Sequence, residues 1–237
     1  MEQFLQSGGV PELVGTTVLD TIGLVIPGVD QQLLEQMHLE TPYRALGVIS
    51  SRIGASGQIT AVDDALKSTN TALLTIELPR DTKGAAGHGN YIVIGGDDVA
   101  DVRRAVELTL EGTARNAGGI YVNDAGHLEF AYSARAGEAL HQVFDIPEGE
   151  AFGFMAGAPA AIGLLMADYA VKAADVTVTR YLTPDHGTSH TNEVILIFTG
   201  QTSAVKTAVL AGREVGVKLL TAMGGQPETM GPALWME

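Results

Sequence analysis

The chain has 237 residues, of which 46% are hydrophobic, and its 28 acidic and 14 basic residues give a formal net charge of −14. This composition indicates a compact globular protein, and the length allows one large domain or two small ones. The acidic excess argues against binding to nucleic acid or to an anionic membrane surface, because both need Lys and Arg. The absence of cysteine excludes disulfides and thiolate metal centres.

The first half of the chain reads as a hairpin followed by alternating helices and strands. Residues 13–26, LVGTTVLDTIGLVI, place Gly and Asp turn signals between two β-rich runs, and residues 29–37, VDQQLLEQM, have helical periodicity. Residues 45–79 predict a Gly-containing strand, a helix and a second strand. A polar loop, the strand YIVIGG (91–96) and the helix DDVADVRRAVELTL (97–110) complete this half.

The second half repeats that order. GIYVNDAGHLEFAY (119–132) predicts a hairpin and SARAGEALHQVF (133–144) a helix, and residues 151–184 repeat the block 45–79, with Gly153 matching Gly47. VILIFTG (194–200) and QTSAVKTAVLAGREV (201–215) predict the last strand and helix. We therefore predict an α+β fold, in which each domain is a small antiparallel sheet covered by helices. The predicted boundaries are 12–114, 115–224 and a C-terminal tail, 225–237.

Residues 156–174 are nearly all small or apolar, but they do not predict a membrane span. Pro159, Asp168 and Lys172 interrupt the segment, so a buried helix after a small-residue loop is the better interpretation. At the N-terminus, MEQFLQSGGV has neither the basic region nor the apolar run of a signal peptide.

Two glycine-rich loops do not complete a nucleotide-binding motif. In LPRDTKGAAGHGN (78–90), Lys83 precedes the glycines and a strand follows, which is the wrong order for a P-loop. After the strand at 45–51, only Gly54 and Gly57 are present, which does not complete a dinucleotide-binding fingerprint. Close packing of a strand on a helix explains these small residues more simply.

The histidines suggest an alternative based on metal or metabolite binding. His186 and His190 are four residues apart beside Asp185, but Gly187 and its neighbours indicate a loop, where this spacing loses its geometric meaning. His88 lies in the corresponding first-half loop. His127 and His141 are lone in the sequence and are predicted to be structural or exposed. No nucleophile–base–acid set is visible, so no catalytic residue, metal or cofactor is predicted. A metabolite- or metal-binding module that uses the His-rich loops stays open as an alternative. So does a small-molecule sensor, although the lack of a basic patch disfavours a DNA-binding one.

Lys67 and Lys172 lie at matching helix ends, where a lysine is ordinarily exposed and favoured by the helix dipole. The sequence around them resembles that of the bacterial microcompartment (BMC) shell domain. Lys172-Ala-Ala-Asp175-Val carries the family signature, and the first half keeps Lys67 and Asn70. The hairpin ahead of each first strand is similar to the circularly permuted form of the family. The resemblance covers residues 12–224 and extends to the tandem shell proteins of propanediol- and ethanol-utilization compartments, some of which carry a long N-terminal extension that is lacking here.

The resemblance implies a non-enzymatic shell protein located in the cytoplasm, in the shell of a microcompartment. Three chains would form a pseudohexagonal tile of six BMC domains that meets other shell proteins edge to edge around enclosed enzymes, with no nucleic acid or membrane partner. It implies a tile-edge contact formed by Lys67, Asn70, Lys172 and Asp175. It also implies two loops lining a pore for small polar metabolites. Their residues are Arg80, Asp81, Thr82, Lys83, Gly84, His88, Asp185, His186, Gly187, Thr188, Ser189 and His190.

Overall fold

A computed structural model describes residues 11–39, 43–79, 88–186, 191–229 and 233–236, and it contains two successive sheet-and-helix domains. In the first domain five antiparallel strands lie in the spatial order β1-β2-β3-β5-β4. Its elements are β1 (Glu12–Thr17), β2 (Thr21–Ile26), α1 (Gln31–Met37), β3 (Ala45–Ser51), α2 (Ser56–Leu66), β4 (Ala72–Glu77), β5 (Asn90–Gly96) and α3 (Val99–Asn116).

The second domain has the same order of elements plus one short strand. Its sheet has the spatial order β11-β6-β7-β8-β10-β9, again antiparallel. The elements are β6 (Ile120–Asn123), β7 (Gly126–Ser133), α4 (Glu138–Phe144), β8 (Ala151–Ala158), α5 (Ala160–Ala173), β9 (Thr177–Leu182), β10 (Val194–Gly200), α6 (Thr202–Gly224) and β11 (Glu228–Thr229). The predicted α+β fold with its internal repeat is confirmed.

The repeat extends to irregular details of the two sheets. The register of β4 against β5 shifts between Leu73 and Thr75, and that of β9 against β10 shifts at the matching point, opposite Ile197 and Phe198. Gly153, the counterpart of Gly47, is required by packing, because a β-carbon there would lie 2.5 Å from the Phe198 ring. The last three strands of the two domains therefore match in register, whereas the hairpins differ, because the β1–β2 pair has a register shift that the β6–β7 pair lacks.

Each sheet separates two apolar layers because strand side chains alternate between its faces. In β5, Ile92 and Ile94 face the core formed with α3, whereas Val93 lies in a smaller cluster with Leu34 of α1. In the second domain α5 and α6 cover one face of the sheet, and α4 covers the other. The short helix that follows each hairpin thus closes the face opposite the long helices.

Three segments depart from the sequence prediction. Residues 225–237 were predicted as a tail, but β11 pairs with β6 and the Trp235 ring lies 6.2 Å from that of Tyr132, so the described residues of this segment, 225–229 and 233–236, pack on the second domain. Helix α3 ends at Asn116, past the predicted boundary at 114. Helix α5 was predicted to be buried, but it is buried on one face only: on the other face, 54% of Leu164 is exposed. No helix among the described residues is both long and apolar enough to cross a membrane.

Candidate functional site

The two domains of one chain meet where α2 enters an apolar cluster of the second domain. Ala55 and Ile59 are fully buried there, and Ile76 of β4 packs against the edge of the same cluster. The buried second-domain members are Ala131, Ala136, Leu140, Phe144, Ile146, Phe152, Phe154, Ala156, Ile195 and Ile197. Full burial of one such aliphatic side chain contributes about 1.5–3 kcal/mol. The joint between the domains is therefore a continuous part of the core.

Asp63 of α2 provides the polar link at this joint. Its buried carboxylate accepts hydrogen bonds from the backbone N–H of Gly137 at 3.0 Å and of Leu140 at 3.3 Å, at the start of α4. Lys67 Nζ lies 2.7 Å from Asp63 Oδ2 and donates to the carbonyl of Arg135 at 2.8 Å. Partial burial lowers the pKa of Lys67, but the hydrogen bond and charge of Asp63 outweigh this effect and raise it above its usual value. The first domain thus caps a helix of the second.

A second polar link, made of two histidines and two glutamates, is buried at the same joint. Glu193, at the start of β10, accepts hydrogen bonds from His88 Nδ1 at 3.0 Å and from His127 Nε2 at 3.2 Å. Glu129 lies on the other side of His88, with 3.8 Å between its Oε1 and His88 Nε2. Its Oε2 accepts 3.2 Å hydrogen bonds from the N–H groups of Ala55 and Ser56. We call His88, His127, Glu129 and Glu193 the histidine–glutamate cluster.

All four side chains of the histidine–glutamate cluster are buried, which shifts the pKa values of His88 and Glu193. Burial alone would lower the pKa of His88, but the charge of Glu129 and the hydrogen bond with Glu193 raise it to about 9. Burial would raise the pKa of Glu193, but the hydrogen bonds from His127 and His88 hold it well below its usual range. Both shifts favour a protonated His88 beside an ionised Glu193, and the pair crosses the domain joint.

The cluster corrects the prediction for His88 and agrees with the one for His127. His88 was predicted to line a pore, but only 1% of it is exposed, because its ring is enclosed between the domains of its own chain. His127 was predicted to be structural or exposed, and it is structural, since it is buried and bonds to Glu193 across 66 residues of sequence. The sequence carried one signal for Glu193, since an acidic residue directly precedes the apolar run VILIF. Glu129 lies within the run HLEFAY, which reads as an ordinary half-buried strand.

The repeat shows that each domain has a second surface that corresponds to its side of the joint but is exposed in the single chain. The strand and helix registers match Ile59 with Leu164, Ile76 with Tyr181 and Leu140 with Leu33. Ile59 and Leu140 are fully buried, whereas Leu164, Tyr181 and Leu33 are 54%, 45% and 54% exposed. The second domain thus exposes the face that the first domain buries, and the first domain exposes the face that receives it.

The predicted tile-edge residues all lie at the surface, at or just beyond the C-terminal ends of α2 and α5. Lys67 is engaged within the chain, as described above, whereas Lys172 is more exposed and pairs with Asp168 of its own helix at 2.7 Å. Asn70 and Asp175 are exposed. These positions are compatible with an edge contact, which stays a prediction.

Most of the predicted pore-loop residues fall outside the described part of the chain, namely Arg80, Asp81, Thr82, Lys83, Gly84, Gly187, Thr188, Ser189 and His190. Asp185 and His186 are described and exposed, and His186 pairs with Thr183 through two backbone hydrogen bonds of 2.9 and 3.0 Å. Within the described ranges, no three His, Asp or Glu side chains are grouped so that they could hold a metal ion.

Comparison with known proteins places this architecture in a family. Residues 45–124 and 151–225 match the model of the BMC domain. The chain is 48% identical over 229 residues to bacterial microcompartment shell protein PduB of Limosilactobacillus reuteri, which covers 96% of each chain. It is 48% identical over 228 residues to PduB of Citrobacter freundii, which covers 96% of this chain and 84% of the relative.

Solved structures agree with the sequence matches. The crystal structure of a trimeric bacterial microcompartment shell protein PduB superimposes with a TM-score of 0.90 at 48% identity, over 95% of this chain and 100% of the other. EtuB from Clostridium kluyveri superimposes with a TM-score of 0.89 at 46% identity, over 93% of this chain and 97% of the other. The tandem fold and the placement of its two domains are therefore shared.

Proposed function

The chain belongs to the BMC-domain family of bacterial microcompartment shell proteins, and we propose that three copies join head to tail into a ring of six domains that forms one tile of the shell. The proposal rests on two exposed apolar faces of the single chain, one on each domain. Leu164 and Tyr181 repeat the positions that Ile59 and Ile76 use inside the chain, and Leu33 repeats the position of Leu140 that receives them.

A head-to-tail contact between identical chains produces a ring if the rotation closes, and a filament if it does not. The joint inside the chain supplies one contact of the required kind, and the exposed counterparts supply the other. Because each chain contributes two domains, three chains alternate the two kinds of contact around six domains. A closely similar shell protein is described as trimeric, which supports closure at three chains.

The tile edge is proposed at the ends of α2 and α5. Lys172 and Asp175 extend into solvent there, and Lys67 and Asn70 hold the matching positions of the first domain. A lysine side chain can lie along a neighbouring tile and donate to backbone carbonyls, as Lys67 already does to Arg135. We assign contacts with other shell proteins to this rim.

The two long loops are proposed to line the passage at the ring axis. Loop 79–90 carries Arg80, Asp81, Thr82 and Lys83, and loop 184–192 carries Asp185, His186 and His190. Six such loops would offer hydrogen-bond donors and acceptors to small polar metabolites. The buried position of His88 removes it from this lining. The enclosed enzymes are proposed as further partners, and the role of the chain itself is structural rather than catalytic.

Light scattering after size-exclusion chromatography tests the proposal. The expected particle has three times the 24.8 kDa mass of the chain, and electron microscopy at higher concentration should show sheets of hexagonal outline. A monomer that holds a metal or cofactor tightly would favour the alternative, a metabolite- or metal-binding module. Elemental analysis and a thermal-shift screen on the same sample distinguish the two outcomes.

A further inference from the structure

The bases of the two long loops meet at the histidine–glutamate cluster. The first base is residues 88–90, which end loop 79–90 and lead into β5, and the second is residues 191–193, which lead into β10. His88 of the first base and Glu193 of the second share a buried 3.0 Å hydrogen bond, although 105 residues separate them in sequence. Thr191 of the second base donates to the same Oε1 of Glu193 at 2.8 Å.

Backbone hydrogen bonds tie the first base to its surroundings. The Gly89 N–H donates to the carbonyl of Pro79 at 2.9 Å, which closes the base of the loop. The Gly54 N–H donates to the carbonyl of His88 at 2.9 Å, and Asn90 Nδ2 donates to the carbonyl of Gly54 at 2.7 Å. The first base is thereby attached to the turn before α2, and it reaches the second domain through the His88 ring.

We propose that Glu193 is a positioning residue that fixes the two loop bases of one chain to each other, so that they shift together as one unit. His88 can contact Glu193 only while the domain joint is closed, because the two residues belong to different domains. His127 and Thr191 hold the Glu193 carboxylate from its own domain. A displacement of either base therefore changes the position of the group that holds the other.

The repeat indicates that this coupling is confined to the joint inside a chain. In the matching registers, Asn192 replaces His88, Gly89 replaces Glu193 and Ile22 replaces Glu129. The contact between chains thus lacks counterparts of His88, Glu129 and Glu193, and each first-half loop is coupled to the second-half loop of its own chain. The inference concerns a single chain and does not depend on ring closure.

Hydrogen–deuterium exchange of the intact protein tests the coupling. In Glu193→Gln, the Gly54 and Gly89 amides of the first domain should exchange at least about tenfold faster, because a buried hydrogen bond between charged groups has been weakened. Glu150→Gln is the matched control, since Glu150 also accepts a hydrogen bond from a threonine, Thr199, at 3.0 Å, but lies outside the cluster. Peptides that cover residues 52–58 and 88–92 report the effect.

A milder variant protects the test against loss of folding. Thr191→Val removes only the hydroxyl that donates to Glu193, and it should accelerate exchange in the same first-domain peptides by a smaller factor. The reciprocal change, His88→Gln, should accelerate exchange at residues 191–196 of the second domain. If each substitution changes exchange only in its own domain, or if Glu150→Gln has the same effect as Glu193→Gln, the coupling is refuted.

Discussion

Replacing Leu164 by aspartate should dissociate the ring. Leu164 is 54% exposed in the single chain, so the contact between chains has about half of a leucine surface left to bury. Full burial of a leucine contributes about 1.5–3 kcal/mol, which makes the lost contribution about 1 kcal/mol per contact. Leaving a carboxylate in an apolar contact adds a penalty of at least about 2 kcal/mol.

Together these effects weaken each contact by about 3 kcal/mol, or at least about a hundredfold in its equilibrium constant. Because all three contacts of a ring carry the change, the trimer should be lost at concentrations where the unchanged protein is fully trimeric. Sedimentation velocity across a concentration series measures this shift. Leu33→Asp, on the receiving face, should have the same effect.

The control for this prediction is Met223→Asp. Met223 is 57% exposed near the end of α6, so the substitution makes a similar change in surface polarity away from the proposed contact. Both substitutions should leave the chain itself folded, with an unchanged circular-dichroism spectrum. A Leu164→Asp protein that stays trimeric at the concentrations of the unchanged protein would refute the head-to-tail assignment.

Two further predictions concern the rim and the cluster. Lys172→Ala should abolish the sheets seen by electron microscopy and leave trimers intact. Lys67→Ala should also destabilise the chain, by about 1–3 kcal/mol, because buried Asp63 loses its cation. Unchanged sheets in both variants would contradict an edge role. The raised pKa of His88, about 9 against the ordinary 6.5, contributes about 3 kcal/mol of stability below pH 6.5, and this is lost as pH rises to 9. The unfolding midpoint should fall over that range, and His88→Gln should flatten the profile; an equal fall in both proteins would contradict the assignment.

The order of the elements could be predicted because it depends on local signals. The continuous apolar runs in YIVIGG and VILIFTG, helical periodicity in the two long helices, and turn residues in both hairpins each specify one element. The internal repeat then gave the two-domain organisation. The helix α5 was harder to predict, because its apolar composition did not distinguish a face buried in the chain from one reserved for another chain.

The histidine–glutamate cluster could not be predicted in the same way. Its hydrogen bonds join residues 66 and 105 positions apart. The repeat itself obscures them, since the positions that match His88, Glu129 and Glu193 in the other half are uncharged. His88 lies in a polar loop sequence and was therefore assigned to the loop surface. Only the packing of α2 on the second domain shows that the same residue is enclosed.

The most direct test of the ring uses paired cysteines, which the chain otherwise lacks. A protein carrying both Leu33→Cys and Leu164→Cys, treated with a short bismaleimide, should form covalent dimers and trimers and then stop at three chains. Leu33→Cys and Leu164→Cys made singly are the controls, and each should give only monomers, because the other cysteine of the pair is absent. Crosslinked Leu33→Cys/Leu164→Cys chains that remain monomeric, or that extend past three in an open ladder, would contradict the account.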